Sequence, residues 1–543
     1  MVRSLSLGLL LVAVAAATAQ APPGFKTYEN KHQKVTFHYP TVYSEVPLPP
    51  TELVLVARFV MKTVPPELKR VDERIVNAVE PQIQVFAFDM PAATTGTPSD
   101  AAKPASGPTT VREAMEAQSR VTSWAEFVSR FAAWDLKPDV KDPDHFVMNY
   151  KGQSPSPTMS VTGHMLRKQI GSTVVGAFGY TLDAHSDTML KQLVKVQKSL
   201  ALAEADTTGD MEAAAIDRLY ASGKYRGVEG RKKARLEMSA GWRAIDTENY
   251  LIVHHSKNDG LIRRIARDIE AMRAVYTELF PPAAPMDQVS IVRVCRTMEE
   301  YFQYGGPRNS GGFWHSGNEE LVFYDYSYTM KVMDDDQRKL MGGRKLTNDD
   351  SLLVLYHEAF HQYIHYAIGE FSPHDWFNEG YGDFFSGAVV SDSGKVVRID
   401  PSPWRIHLAK DMCEYGKGFV PLQEILGAER AVFYNPARIG YFYAGAWSFL
   451  FFLKNAKEVA GHPVWSKLLD TYLTSIKASY TEQLNKVEGK ADLAQKQVAA
   501  FAARRAALAK MLEGVDVKEL ETAWKRYVID MKDPWPSLRK KPK

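Results

Sequence analysis

The stretch that decides the fold is LLVLYHEAFHQYIHYAIGEFSPHDWFNEGYGDFF, which runs from Leu352 to Phe385. Its opening LLVLY is apolar enough to drive a helix into a core. Residues Asn348 to Ser351 offer capping side chains just before it, and Gly369 is suited to end the helix. The stretch therefore predicts two helices joined by a loop.

His357, Glu358 and His361 form the pattern H-E-x-x-H inside the first predicted helix. Residues four apart lie on one helix face about one turn apart, so two imidazoles at this spacing can share one zinc ion. The glutamate between them then faces the water that the metal binds. The pattern predicts a zinc site with His357 and His361 as ligands. The alternative is a buried helix whose histidines are simply hydrogen-bonded.

The third ligand has three candidates, which are His365, His374 and Glu379. His365 lies two helical turns from His357, roughly 12 Å along the helix axis, which is too far for one metal to bind both histidines and His361. His374 lies in the predicted connecting loop, and Glu379 lies on the second helix. The residues alone leave the choice between these two open.

The segment WFNEG, Trp376 to Gly380, follows the first pattern with 17 residues between His361 and Glu379. Together the two segments resemble the gluzincin superfamily of zinc peptidases, in particular its uncharacterised bacterial peptidase-like branch. Aminopeptidases of that superfamily usually have about 18 intervening residues, so this chain departs from them by one residue. The resemblance implies that Glu379 is the third zinc ligand and that Glu358 is the general base of peptide hydrolysis.

The same resemblance implies two further roles. Asp383 lies four residues beyond Glu379 on the same helix face, and in gluzincins of the thermolysin type such an aspartate hydrogen-bonds the first zinc histidine. A zinc histidine generally needs such an acceptor, so we expect Asp383 to contact His357. Gluzincins also stabilise the oxyanion with a downstream tyrosine or histidine. In GYFYAGAWSFLFFL, Tyr443 is the first candidate for this role and Tyr441 the second.

The first 21 residues have the pattern of a secretory signal peptide. Arg3 gives a positive start, the run from Leu5 to Ala17 is apolar, and AQA at residues 19–21 is a small-x-small cleavage pattern. No later stretch approaches the roughly 18 apolar residues of a membrane-spanning helix. We therefore expect a secreted or periplasmic protein without a transmembrane segment.

The chain is predicted to be an α+β protein with two domains. Residues 22–200 resemble a PsbP-like α/β sandwich in GFKTYENKHQKVTFHYP and GYTLDAHSDTMLKQLVKVQKSL, which implies a fold and a binding or accessory role. Residues 201–240 are polar and charged and predict a linker. Residues 241–543 are predicted to form the gluzincin-like domain, with a small mixed sheet followed by a mainly helical C-terminal half.

Two smaller features of the second domain bear on its chemistry. The strand ELVFYD, Glu320 to Asp325, is predicted to be a sheet edge along which a peptide pairs by main-chain hydrogen bonds. Cys295 and Cys413 are the only cysteines. One disulfide is possible in an exported protein, and the sequence leaves its formation open.

The formal net charge of +3 over 543 residues argues against nucleic acid as a partner. The predicted function is that of an exported zinc-dependent peptidase, a hydrolase that uses Zn²⁺ and acts on a peptide or protein substrate. One alternative is a vestigial peptidase fold that serves as a binding or scaffold protein. Another is a zinc hydrolase that acts on a non-peptide component of the cell envelope. Cleavage specificity and oligomeric state are left open.

Overall fold

A computed structural model of the chain describes residues 20–30, 33–63, 80–90, 107–151, 160–202, 207–308, 310–333, 346–536 and 539. The predicted signal peptide, except for Gln20 and Ala21, lies outside the described residues. The fold is mixed α+β, with a sheet-rich N-terminal part and a mostly helical C-terminal half. The predicted fold class is thereby confirmed.

The chain divides into two compact units, and each contains more than one segment of sequence. The first consists of Met1–Glu45, Val54–Ala93 and Val121–Asp206, and the second of Val46–Leu53, Thr94–Arg120 and Thr207–Lys543. The predicted linker, residues 201–240, contains two helices, Thr207–Tyr220 and Val228–Leu236.

The first unit is built on an antiparallel sheet with helices on its two faces. Within the described residues the sheet has seven strands, in the spatial order Tyr43–Val46, Leu55–Met61, Gln82–Asp89, Thr173–Leu182, Val161–Ile170, His145–Tyr150 and Trp134–Pro138. Neighbouring residues point to opposite faces, so Val85 joins the core under the helix Ser186–Ser199, and Phe86 joins the core under the helix Trp124–Ser129. A smaller sheet is formed by Phe25–Asn30, Val35–Pro40 and Ala201–Leu202.

The second unit begins with a mixed sheet. Its described strands lie in the order Arg243–Asp246, Tyr250–His254, Ser290–Cys295, Glu320–Tyr324 and Gly312–His315. The three central strands are parallel, and each outer strand is antiparallel to its neighbour. The predicted edge position of Glu320–Asp325 is wrong, because Glu320–Tyr324 is an inner strand. Its continuous apolar run is typical of a strand that is covered on both faces, and the edge strand is Gly312–His315.

Most of the second unit is helical. Within the described residues, its longer helices besides those already named are Val111–Ser119, Asp259–Leu279, Asn348–Ala367, Asp375–Phe385, Ile406–Tyr415, Ile439–Asn455, Leu468–Leu484, Leu493–Met511 and Val517–Asp530. Shorter helices are Met298–Tyr304, Tyr326–Val332, Leu422–Gly427, Arg430–Phe433 and Lys457–Gly461, and a two-stranded sheet pairs Ala388–Val390 with Val396–Ile399.

The helix Asn348–Ala367, called here the HExxH helix, has a well-defined start and end. Thr347 caps its N-terminus, and Asp350 accepts hydrogen bonds from the Thr347 main-chain N–H and hydroxyl at 2.8 and 3.0 Å. The cap is thus one residue before the predicted run, in the reciprocal arrangement of a capping box. After Ile368 the chain turns at Gly369, whose φ of +116° is open to glycine and strained for other residues.

Segments from the N-terminal half of the sequence are bound into the second unit by polar contacts. Thr51 donates its hydroxyl to the Asn318 side-chain oxygen at 2.8 Å, and Arg112 pairs with Glu319 at 2.8 Å. Each of these contacts joins residues that are more than 200 positions apart in sequence.

The two cysteines are both buried and both carry free thiols in this structure. In the described part of the chain, we find no helix with the length and apolar character needed to cross a membrane.

Candidate metal centre

The HExxH helix presents His357 and His361 from one face. Both side chains are buried, and their rings are nearly perpendicular, with centroids 4.7 Å apart. The rest of that helix is held by apolar contacts, since Leu355, Phe360 and Ile364 belong to the main core of the unit. The two imidazoles are therefore fixed by packing before any metal binds.

The helix Asp375–Phe385, called here the glutamate helix, brings the third group. Glu379 Oε2 lies 3.1 Å from His357 Nε2 and 3.4 Å from His361 Nε2. All three ligand atoms lie within 4.8 Å of one another. Zinc bonds of about 2.0–2.1 Å in a tetrahedral arrangement separate two ligand atoms by about 3.3 Å, so the two measured distances suit a zinc ion.

Each histidine also has a second partner on the glutamate helix, behind its ligand nitrogen. His361 Nδ1 lies 3.0 Å from the side-chain oxygen of Asn378, which accepts a hydrogen bond from it. His357 Nδ1 lies 3.3 Å from Asp383 Oδ1, a contact longer than a regular charge-assisted hydrogen bond. Partners in these positions leave Nε2 of both rings free to bind a metal.

Arg405 extends this set of contacts. Its Nε donates to Asp383 Oδ2 at 2.5 Å, and Asp383 is fully buried. The buried carboxylate is thus held between a guanidinium and an imidazole, which compensates much of the cost of its burial. Arg405 lies at the start of the helix Ile406–Tyr415, and no spacing rule pointed to it in the sequence.

The charges of the three candidate ligands depend on one another. Burial opposes the charged form of each group, but their mutual contacts outweigh it. Burial lowers the pKa of His357, yet Asp383 and Glu379 raise it to about 10. The pKa of His361 is also raised, and that of Glu379 lies well below its usual range because of the two histidines. The two histidines and Glu379 therefore stabilise one another's charged forms.

Glu358 lies between this group and the edge strand. A side-chain carbon at Gly312 would lie 3.2 Å from Glu358 Cγ, so the strand backbone passes directly over the glutamate. The Trp314 main-chain N–H donates to the carboxylate, while burial, the largest influence, raises the pKa of Glu358. A buried carboxylate with a raised pKa is well suited to accept and return a proton.

The two rival histidines lie elsewhere. His374 precedes the glutamate helix, and its Nδ1 lies 2.8 Å from the Tyr472 hydroxyl. His365 packs with its ring centroid 6.0 Å from that of Trp314, and burial lowers its pKa to about 4. Neither belongs to the group of three ligand atoms that the structure brings together.

Two tyrosines reach Glu379. Burial and the charge of Glu379 raise the pKa of Tyr443 well above its usual range, and the Arg405 guanidinium carbon lies 4.6 Å from the centroid of the Tyr443 ring. Tyr434, which the sequence analysis missed, donates to Glu379 Oε1 at 2.5 Å. Tyr441 instead packs its ring against Gly418. Tyr434 lies just after the short helix Arg430–Phe433, at no regular spacing from the other residues of the site.

Comparisons with known proteins add little to this description. No protein-family model and no curated protein matches the chain. Among solved structures, the PsbP protein of the cyanobacterium Synechocystis is 12% identical, covers 34% of this chain and 95% of its own, and has a TM-score of 0.19. The Ran-binding protein Mog1p of Saccharomyces cerevisiae is 12% identical, and its match covers 34% of this chain and 97% of Mog1p, with a TM-score of 0.19.

A third solved structure, of a protein from Bacteroides thetaiotaomicron, is 10% identical and covers 56% of this chain and 85% of its own, with a TM-score of 0.18. The Synechocystis protein is of the PsbP kind that residues 22–200 resemble in sequence. At these TM-scores none of the three likenesses carries an argument about function.

Proposed function

We propose that this chain is an exported zinc-dependent peptidase that hydrolyses peptide bonds at the group formed by His357, His361 and Glu379. The observation that carries the proposal is the geometry of this group. The two histidine nitrogens lie 3.1 and 3.4 Å from one glutamate oxygen, close to the edge of a zinc tetrahedron. A fourth position is left for a water molecule, which is typical of catalytic rather than structural zinc.

A zinc ion held there would polarise the carbonyl of the scissile bond and acidify a water molecule. Glu358 takes the proton of the attacking water and delivers it to the leaving amine. Tyr443 donates its hydroxyl to the oxyanion that develops on the carbonyl oxygen. Asn378 keeps the His361 ring oriented by accepting a hydrogen bond from Nδ1, and the Asp383 carboxylate faces Nδ1 of His357 at 3.3 Å.

The edge strand Gly312–His315 supports a peptide rather than a small molecule as the substrate. One side of this strand pairs with Glu320–Tyr324, and none of the described strands pairs with its other side. An extended peptide can add to such an edge by main-chain hydrogen bonds. Because the strand backbone passes over Glu358, a peptide bound there would lie beside the proposed general base. Export is proposed from the signal-peptide pattern of residues 1–21.

The experiment combines metal analysis with a screen of substrates. The purified full-length chain is expected to hold one zinc ion and to cleave casein or a mixed peptide library. Glu358→Gln is expected to keep its zinc and to lose turnover, because the amide cannot accept a proton. The matched control is Glu482→Gln, since Glu482 is exposed and pairs only at the surface, with Lys486 at 2.9 Å.

Three outcomes would count against the proposal. Full activity of Glu358→Gln would exclude the assigned mechanism. A zinc content well under one ion per chain would favour a vestigial peptidase fold. Cleavage of cell-wall fragments in a parallel screen, with peptides left intact, would assign the same centre to a non-peptide envelope substrate.

A further inference from the structure

A second feature of interest is a cavity of about 270 Å³ beside the HExxH helix, called here the Arg504 pocket. His365, which contributes to its wall, follows His361 by one helical turn, about 6 Å along the axis. The other wall residues that matter here are Ser316, Glu370, Tyr480, Lys496 and Arg504. All of them belong to the second unit.

The pocket offers one cation that lacks an anionic partner. Lys496 pairs with Glu370 at 3.3 Å. Arg504 donates to the main-chain oxygen of Ser372 at 3.2 Å, and it forms no ion pair within 4.0 Å among the described residues, although its charge acts on the carboxylate of Asp375. Burial, reinforced by Lys496, lowers the pKa of His365 to about 4, so this imidazole is neutral near pH 7. Arg504 is therefore the group available to bind an anion.

A buried hydroxyl in the pocket wall points to the same kind of ligand. Tyr480 is only 4% exposed, and its hydroxyl has no hydrogen-bond partner in the described part of the chain. A buried donor without a partner costs free energy. A ligand in the pocket that carries acceptor oxygens would satisfy the guanidinium of Arg504, and it would reach this hydroxyl only if the Tyr480 side chain turned towards the cavity.

The edge strand leads from the metal centre to the pocket. Gly312 and Trp314 lie at Glu358, and Ser316, two residues further along the chain, lines the pocket. Ser316 is the first residue of the turn that follows the strand, so this step spans at most about 7 Å. A peptide that pairs with this strand has the same rise per residue. A substrate group about two residues from the scissile bond would therefore reach the pocket.

We propose that the Arg504 pocket binds a carboxylate of the substrate about two residues away from the bond that is cleaved. This assignment rests on the proposed peptidase function. The fork of a guanidinium matches the two oxygens of a carboxylate. The carboxylate belongs either to the C-terminus of the peptide, in which case a short C-terminal fragment is released, or to an aspartate or glutamate side chain.

The test measures equilibrium binding of fluorescent peptides to the zinc-loaded, full-length Glu358→Gln variant, which holds the substrate without cleaving it. Three probes share one neutral sequence: the first has a free C-terminal carboxylate two residues beyond the central bond, the second a C-terminal amide, and the third an amide together with a glutamate at that position. At least one anionic probe is expected to bind about tenfold more tightly than the neutral amide.

Substitutions of Arg504 decide whether the pocket causes this preference. Adding Arg504→Met is expected to abolish it, and Arg504→Lys to retain part of it. Arg505→Met is the matched control, because Arg505 is exposed on the same helix and stacks on Phe501 at 5.8 Å. Thermal melts of all variants show whether loss of the bond to Ser372 unfolds the chain. If Arg504→Met unfolds, the comparison between Arg504→Lys and the wild-type arginine still tests the pocket.

The outcomes separate the pocket from the peptidase function. Equal binding of all three probes, no binding of any of them, or an anion preference that survives Arg504→Met would overturn the pocket assignment. Cleavage of peptides by the wild-type chain without carboxylate preference would leave the peptidase function standing alone. If the wild type cleaves no peptide, yet the preference is present and depends on Arg504, the pocket stands and the peptidase proposal falls.

Discussion

Gly382→Ala tests the geometry of the metal centre with a single methyl group. Gly382 lies on the glutamate helix, and a Cβ there would lie 2.8 Å from Cε1 and 2.9 Å from both nitrogens of the His357 ring. Unstrained contacts of this kind are about 3.5–4.0 Å. The ring must therefore retreat by roughly 0.7 Å, several times the ±0.2 Å that metal–ligand distances tolerate.

The expected result is a loss of metal binding without general unfolding. Alanine is favoured over glycine inside a helix by about 1 kcal/mol, which offsets part of the strain. Zinc affinity is expected to fall by at least the 10- to 100-fold that follows removal of an outer partner of a zinc ligand. The measurement is competition for zinc against a chromogenic chelator, with urea unfolding of the metal-free protein in parallel.

Gly380→Ala is the control for this experiment. It adds the same methyl group to the same helix, but its Cβ would lie 3.0 Å from the main-chain oxygen of Ala446, on the helix Ile439–Asn455. It disturbs helix packing and leaves the His357 ring untouched, so its zinc affinity is expected to match that of the wild type. Wild-type zinc affinity in Gly382→Ala would refute the assignment of His357 as a ligand in this geometry.

Three further predictions follow from single contacts. His374→Gln removes the imidazole's bond to the Tyr472 hydroxyl, while the main-chain N–H of residue 374 keeps its own. It is expected to cost about 1 kcal/mol in urea unfolding with zinc affinity unchanged; loss of zinc would make His374 a ligand. Tyr434→Phe removes a donor to Glu379 and is expected to weaken zinc binding about tenfold in the chelator competition, and an unchanged affinity would contradict this contact. Burial lowers the pKa of His164 to about 4, whereas the unfolded chain takes up this proton near pH 6.5. The stabilisation is present above pH 6.5 and is lost as the pH falls towards 4. Hydrogen exchange should therefore show that the free energy of unfolding of the first unit falls by roughly 2 kcal/mol between pH 7 and pH 5. The same fall in the variant His164→Asn would contradict this prediction.

Local spacing indicated most of the candidate centre from the sequence. Two histidines four residues apart on a helix necessarily share a face, and the same rule put Asp383 beside Glu379. The structure places all four side chains together. Arg405 and Tyr434 escaped notice because each reaches the centre from a separate helix, and contacts between distant segments leave no periodic signal in the sequence.

The order of the strands in the sheet was the other feature that local sequence does not indicate. The apolar run of Glu320–Tyr324 correctly indicated a strand, but local composition does not say which neighbour lies on either side. The short strand Gly312–His315 folds back antiparallel and takes the outer position. That one topological step moves the sheet edge, and with it the proposed peptide-binding site, from the predicted strand to the segment that precedes it.

The membership of Val46–Leu53 and Thr94–Arg120 in the second unit bears on how this protein can be cut into pieces. A truncated chain that began near residue 241 would carry the complete H-E-x-x-H pattern, yet it would lack the Thr51 partner of Asn318 and the Arg112 partner of Glu319. Glu319 also lines the Arg504 pocket, so the truncation would leave a carboxylate without its arginine partner in the pocket wall. Recombinant work on the metal centre should therefore keep the N-terminal half, because sequence order and structural membership do not coincide in this chain.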